Sequence, residues 1–285
     1  MPNFPIVDSH VHLYDPGLLP FSWMKGSPIL DKRFDLRSFD EHRGDVVVDK
    51  IVFAEVAVDP GHHVQEACWV QSLADADPRL VGMVAHLPLQ NGAAVEEDLQ
   101  IMLRLGTLRG IRRLIQEEPD PNFCLQPGFI EGCRRVGAAG LVVDLCIKHN
   151  RGQTASITEL VRRCPEVTFV LDHIGKPDIK AGAIASWRAE LKTLAALPNI
   201  VCKVSGVITE ADHASWTKEQ IRPCVEHAIS TFGFDRVMYG SDWTVGLLTH
   251  PYPVWVEMLD EILAGASADE LHKFWRGTAE RVYRI

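Results

Sequence analysis

The chain has 285 residues, 46% apolar and 24% charged, with a net charge of -9 and a sequence pI near 5.7. These values fit a globular protein able to bury a large core; they exclude a fibrous or disordered chain and argue against nucleic acid or an acidic membrane surface as partner. Seven cysteines without a Cys-x-x-Cys pair read as reduced, mostly buried thiols. No signal peptide or membrane span is readable, so a cytoplasmic location is expected.

The first predicted strand is Ile6-Val7, running into Asp8-Ser9-His10-Val11-His12. Side chains two apart on a strand share a face, so Asp8, His10 and His12 are expected to converge. His-x-His alone reads either as a ligand pair or as an ordinary polar strand end. The connection from Leu13 to Lys50 is long and rich in aromatics, among them Trp23. It reads either as a functional lid or as a loop packing its own rings on a rim.

Further strands are predicted at Lys50–Val56, Leu80–Ala85, Leu108–Arg112, Leu141–Leu145, Thr168–Leu171, Ile200–Val204 and Val237–Tyr239. Between them, residues 63–76, 94–105, 127–138, 157–164, 184–197, 221–232 and 255–263 show helical spacing of apolar residues. Strands recurring roughly every thirty residues are βα units, and eight of them make a (β/α)8 TIM barrel of about 250 residues. Without a linker or low-complexity tract, residues 1–285 read as one domain.

The strand ends carry ionisable residues: Glu55 on the second, Arg112 and Arg113 on the fourth, Asp144 on the fifth, Asp172 and His173 on the sixth, Lys203 on the seventh, and Asp242 with Trp243 on the eighth. Unpaired buried charges cost several kcal/mol, so a set this large at one end of a barrel points to a shared polar site. Glu55 reads as a metal ligand or as the partner of Arg112, and Lys203 as a substrate contact or a barrel ion pair. Arg112 suits paired substrate oxygens. His149, in the loop after the fifth strand, reads as a substrate contact or as exposed. Trp23 and Trp243 complete the candidate substrate-binding set.

Taken together, Asp8-Ser9-His10-Val11-His12, Gly110-Ile111-Arg112, Gln116-Glu117-Glu118-Pro119, Asp172-His173-Ile174-Gly175-Lys176-Pro177, Cys202-Lys203-Val204-Ser205-Gly206, Ser215-Trp216-Thr217 and Tyr239-Gly240-Ser241-Asp242-Trp243 resemble the sugar-lactone hydrolase branch of the amidohydrolase superfamily. The resemblance spans essentially the whole chain. It implies hydrolysis of a sugar lactone to the open-chain acid in carbohydrate catabolism, with His10, His12, His173 and Asp242 around the reaction centre. It also implies a site able to work with one divalent ion, zinc first among them, or with none. Arg112 stands where binuclear relatives place a carbamylated lysine, which disfavours a second metal. Thr244 departs from the pattern, where proline is expected.

In this reading Asp242 takes the proton from water, while the histidines ligate zinc or donate hydrogen bonds to the oxyanion. Glu55 is a further candidate ligand. Two other functions are weighed: a metal-dependent decarboxylase of the same superfamily, and a sugar-acid-binding barrel without turnover. The partner is a small molecule, and the sugar, its ring size and any homo-oligomer are left open.

Overall fold

The computed structural model describes residues 2–285. Its sheet is built from β1 (Ile6–Val11), β2 (Val48–Ala54), β3 (Leu80–His86), β4 (Leu108–Arg112), β5 (Val142–Leu145), β6 (Phe169–Leu171), β7 (Ile200–Val204) and β8 (Val237–Tyr239). Each strand pairs in parallel with the next, in chain order. Just past β8 the sheet returns to β1 through a parallel bridge between Val11 and Trp243. Around this seam the Asp242 N–H donates to the His10 carbonyl at 3.0 Å, and the His12 N–H to the Trp243 carbonyl at 2.6 Å.

Eight helices alternate with the strands: α1 (Leu36–Arg43), α2 (His63–Ala76), α3 (Glu96–Met102), α4 (Pro127–Ala138), α5 (Gln153–Arg163), α6 (Ala185–Ala195), α7 (Lys218–Phe232) and α8 (Tyr252–Ile262). Two more, α9 (Ala268–His272) and α10 (Thr278–Tyr283), follow. The expected (β/α)8 barrel is the fold.

The sequence reading placed no helix at α1, α9 or α10. α1 buries only Leu36 and Phe39, too few to set a helical period, and what starts it is a cap: Asp35 accepts the Ser38 N–H at 3.0 Å. α9 likewise begins with a capping box between Ser267 and Glu270.

The barrel interior is layered. At the amino ends of the strands, Val7, Val52, Val84, Val142, Val170, Val201 and Met238 pack with Ala279, Val282 and Tyr283 of α10, which plugs that end. Two residues further along, β5 and β7 present Asp144 and Lys203 inward, since side chains of one face recur with period two. The Tyr283 hydroxyl donates to Asp144 at 3.0 Å, joining plug to charge layer. Two residues further again lie Cys146 and Ser205, at the level of the site.

Burial also gives the fold a pH dependence. His86, at the end of β3, has its pKa lowered to about 4 by burial, partly opposed by Glu55. Between about pH 6.5 and 4 the unfolded chain therefore binds a proton that the folded one refuses, so stability falls as pH falls through this window. The full effect of this one ring is on the order of 3 kcal/mol. We expect His86→Asn to flatten the drop in Tm between pH 7 and 4, measured by calorimetry; an unchanged slope would remove His86 from the acid response.

Candidate active site

The two histidines reach the interior because β1 is irregular. Val7 points inward with the apolar layer, yet so do His10 and His12, which strict alternation forbids; the register with β2 shifts between Asp8 and Val11. Asp8 is consequently not in the cluster expected of it. Its carboxylate faces α8, accepting from the Ser241 N–H and the Tyr252 hydroxyl, each at 2.9 Å. Burial raises its pKa to about 6.

Asp242 is the hub. Its Oδ1 lies 3.2 Å from His12 Nε2, 3.7 Å from His10 Nε2 and 3.9 Å from His173 Nε2. Burial alone would raise its pKa, but His173, His12 and His10 outweigh it and hold the carboxyl well below the usual range. Burial in turn lowers His173 to about 4 and His10 well below its ordinary value. His12 Nδ1 lies 2.9 Å from the Ala54 carbonyl, an acceptor, so Nδ1 carries a proton. His173 Nδ1 is fixed by Ser205 Oγ at 2.9 Å.

Asp242 and His173 both occupy the left-handed region, with φ of 58° and 54°, a conformation that non-glycine residues hold only when their surroundings impose it. Gly206, also at positive φ, is what lets them meet. A Cβ there would lie 2.6 Å from both Asp242 Oδ2 and His173 Nδ1.

Beneath this cluster lies a chain of charges. Arg112 Nε donates to Glu55 at 2.8 Å, and its Nη1 to Asp172 and to His10 Nε2, each at 3.1 Å; Nη2 reaches the Glu55 carbonyl. The other Glu55 oxygen accepts the Ala57 N–H at 2.6 Å. Glu55 is therefore the counter-ion of Arg112, not part of the ligand cluster, because both its oxygens are committed. Lys203 is fully buried, 2.6 Å from Asp144 and 3.3 Å from both Asp172 and His10 Nδ1. It is the barrel ion pair, one layer below any substrate.

A cavity of about 350 Å³ opens above. His12, His173, Asp242 and Arg112 reach it, and Trp23, Val56, Ala57, Leu114 and Val245 supply apolar surface. Trp23 is 48% exposed, with its indole N–H given to the Val56 carbonyl at 2.8 Å. Two other expected contacts lie elsewhere. His149 turns into the protein between Thr154 and Ser186, at 3.2 and 2.9 Å. Trp243 is buried behind the seam, edge-on to Phe34 and Phe39 with ring centroids 5.3 Å away in each case.

Lys176, Gln116 and Glu117, which stand in the sequence motifs without being assigned to the site, and Cys146 also line the cavity. Lys176 sits at φ 49°, and its ammonium lies 3.6 Å from Glu210, outside hydrogen-bond reach. Its place three residues after His173 in the same loop was the available signal.

The profile of the family described as amidohydrolase matches residues 7–285. The chain belongs to this amidohydrolase family. It is 29% identical over 291 residues to an L-fucono-1,5-lactonase of Burkholderia multivorans, covering 98% of this chain and 96% of the relative. It is 22% identical to an L-rhamnono-gamma-lactonase of Scheffersomyces stipitis over the full length of both chains. Among solved structures, a Burkholderia multivorans amidohydrolase with bound zinc superimposes with a TM-score of 0.88 at 29% identity, covering 99% of this chain and all of that one.

The residues of this amidohydrolase fit one metal ion better than two. His12 Nε2 and Asp242 Oδ1 lie 3.2 Å apart; were that nitrogen unprotonated, its lone pair would face the carboxylate directly, an arrangement that a cation relieves. Nitrogens of His10 and His12 and an oxygen of Asp242 all lie within 4.8 Å of one another. A second group, His10, Asp172 and His173, has a comparable spread. There Lys203 and Arg112 already bring two positive charges to Asp172 and His10, which disfavours another cation.

Proposed function

We propose that the chain hydrolyses a sugar lactone to the open-chain sugar acid, with Asp242 as the group that takes the proton from water. The observation that carries this reading is one carboxylate, with three imidazole nitrogens 3.2 to 3.9 Å from a single oxygen, at the floor of a cavity with an apolar wall and polar rim. A carboxylate of depressed pKa is charged at any working pH but is a weak base. It suits an electrophilic ester held cis in a ring better than an unactivated amide. The full-length likeness to named lactonases supports the same choice.

The water oxygen bonds to the lactone carbonyl carbon as Asp242 accepts its proton, and the carbonyl oxygen becomes an oxyanion. Four N–H groups of Arg112 are engaged within the protein, so one on Nη2 remains for a substrate oxygen. The bond from carbonyl carbon to ring oxygen then breaks, and Asp242 returns the proton to that oxygen, leaving a hydroxyl and a carboxylic acid. A divalent ion would be held by His12 and Asp242 with His10 or His173, and would polarise the carbonyl. Trp23 offers its ring face to the C–H side of the substrate.

The test is a lactone panel read with a pH indicator, with released carbon dioxide measured in parallel. Acid without carbon dioxide is expected. Carbon dioxide release would favour decarboxylation, and silence in both channels across a broad panel would count against turnover.

Metal dependence is a separate expectation. Arg112 already polarises the centre and competes for the lone pair of His10, so kcat/KM should survive exhaustive chelation within a few-fold, with no more than one equivalent of metal bound per chain. Near-complete loss on chelation, restored by zinc, would make the ion the principal electrophile.

A further inference from the structure

Glu66 lies on α2, outside the barrel and away from the cavity, yet it is fully buried. Its Oε1 accepts the Val56 N–H at 3.2 Å, while Oε2 has no hydrogen-bond partner among the described residues. The next N–H in the chain, that of Ala57, goes to Glu55 at 2.6 Å. Two glutamates thus grip consecutive amides of one short turn. Ala57 is held there in the left-handed region at φ 50°, which an alanine does not adopt unaided.

Val56 and Ala57 form part of the cavity wall, and the Val56 carbonyl takes the indole N–H of Trp23 at 2.8 Å. The rest of the Trp23 turn is tied to the neighbouring loop at the surface, where Ser22 donates to Asp59 through its backbone N–H and its hydroxyl, at 2.8 and 2.6 Å. A connection therefore runs from Glu66 through the backbone of Val56, whose N–H and carbonyl lie on successive peptide units, to the half-exposed ring over the cavity.

We propose that Glu66 is a positioning residue for the substrate wall: by holding the Val56 amide from behind the barrel, it fixes the carbonyl to which Trp23 is anchored. A buried carboxyl with one oxygen unsatisfied disfavours the folded state; an apolar side chain of similar size removes that cost but leaves the Val56 N–H without its acceptor. Burial and the nearby Glu55 both push its pKa well above the ordinary value, and no cationic side chain is hydrogen-bonded to it among the described residues. Neutral glutamine preserves the same acceptor for the Val56 amide.

The test uses the full chain with Glu66→Gln and Glu66→Leu. The physical readout is acrylamide quenching of Trp23, taken as the difference between each protein and its Trp23→Phe counterpart. The kinetic readout rests on the lactonase reading above and is the split between KM and kcat on whichever lactone is turned over. We expect Glu66→Leu to fold with at most a modest loss of Tm, increase quenching of Trp23, and raise KM at least about fivefold with kcat within about twofold. Glu66→Gln should match the parent in every respect.

Unchanged quenching in Glu66→Leu would overturn the proposal, as would a Glu66→Gln variant as impaired as Glu66→Leu. Should Glu66→Leu fail to fold, Glu66→Met and Glu66→Gln carry the same comparison. If no lactone is hydrolysed at all, the quenching measurement still decides the role of Glu66, and only the functional reading fails.

Discussion

Asp242→Asn is expected to lower kcat by at least about a hundredfold while leaving the fold intact. General-base catalysis contributes about 10² to 10⁴, and asparagine keeps the shape of the side chain while removing its basicity. The backbone reason for choosing asparagine is equally specific. Residue 242 sits at φ 58°, and asparagine is among the residues that tolerate this region best, so the seam hydrogen bond from its N–H to His10 should persist. The measurement is kcat on the hydrolysed lactone beside far-ultraviolet circular dichroism and Tm. Turnover near that of the parent at neutral pH would remove Asp242 from the mechanism.

Gly206→Ala should be nearly as damaging, for a geometric reason. The new methyl would sit 2.6 Å from Asp242 Oδ2 and from His173 Nδ1, so one or both must move. Misplacing a reacting group by about 1 Å costs on the order of a hundredfold in rate. Backbone strain from alanine at positive φ adds roughly 1 kcal/mol, or about 2–4 °C in Tm. Gly152→Ala separates the two effects, because Gly152 also has positive φ but a methyl added there would meet nothing within 4 Å. That variant should lose comparable stability and keep its activity. Equal activity in the two variants would show that the packing around Gly206 yields without disturbing Asp242 and His173.

The barrel was legible because its strands are short apolar runs at a βα period, and burial on both faces leaves little other reading for them. The identity of the central cluster was legible too: in a parallel barrel, polar residues at carboxyl ends of strands meet in one place. Depth and direction were not. Lys203 and Asp242 both stand near strand ends, but Lys203 precedes the end of β7 and pairs with Asp144 below the site, whereas Asp242 follows β8 and reaches the cavity. Asp8 was misplaced because a register shift in β1 leaves no mark in the residue pattern. His149 and Trp243 are close in sequence to residues that line the cavity, and only the turn of the loop decides which way each faces. Lys176 and Gly206 depend on left-handed backbone, which sequence signals weakly when the residue is lysine and ambiguously when it is glycine. Glu66 was invisible because an acid inside a helical pattern ordinarily lies on its solvated face.

The seam where the barrel closes has a consequence for how the protein acquires activity. His12 and Asp242 are separated by 230 residues, and the contacts that bring them together are those that join the last strand to the first. Pairings so remote in sequence carry a large loop-closure cost and form slowly relative to local βα units. A partly assembled chain can hold most of its helices and still lack any assembled centre. Recovery of turnover after dilution from denaturant should therefore trail the recovery of helical signal, making the enzyme's own reaction a clock for the final docking of its two ends.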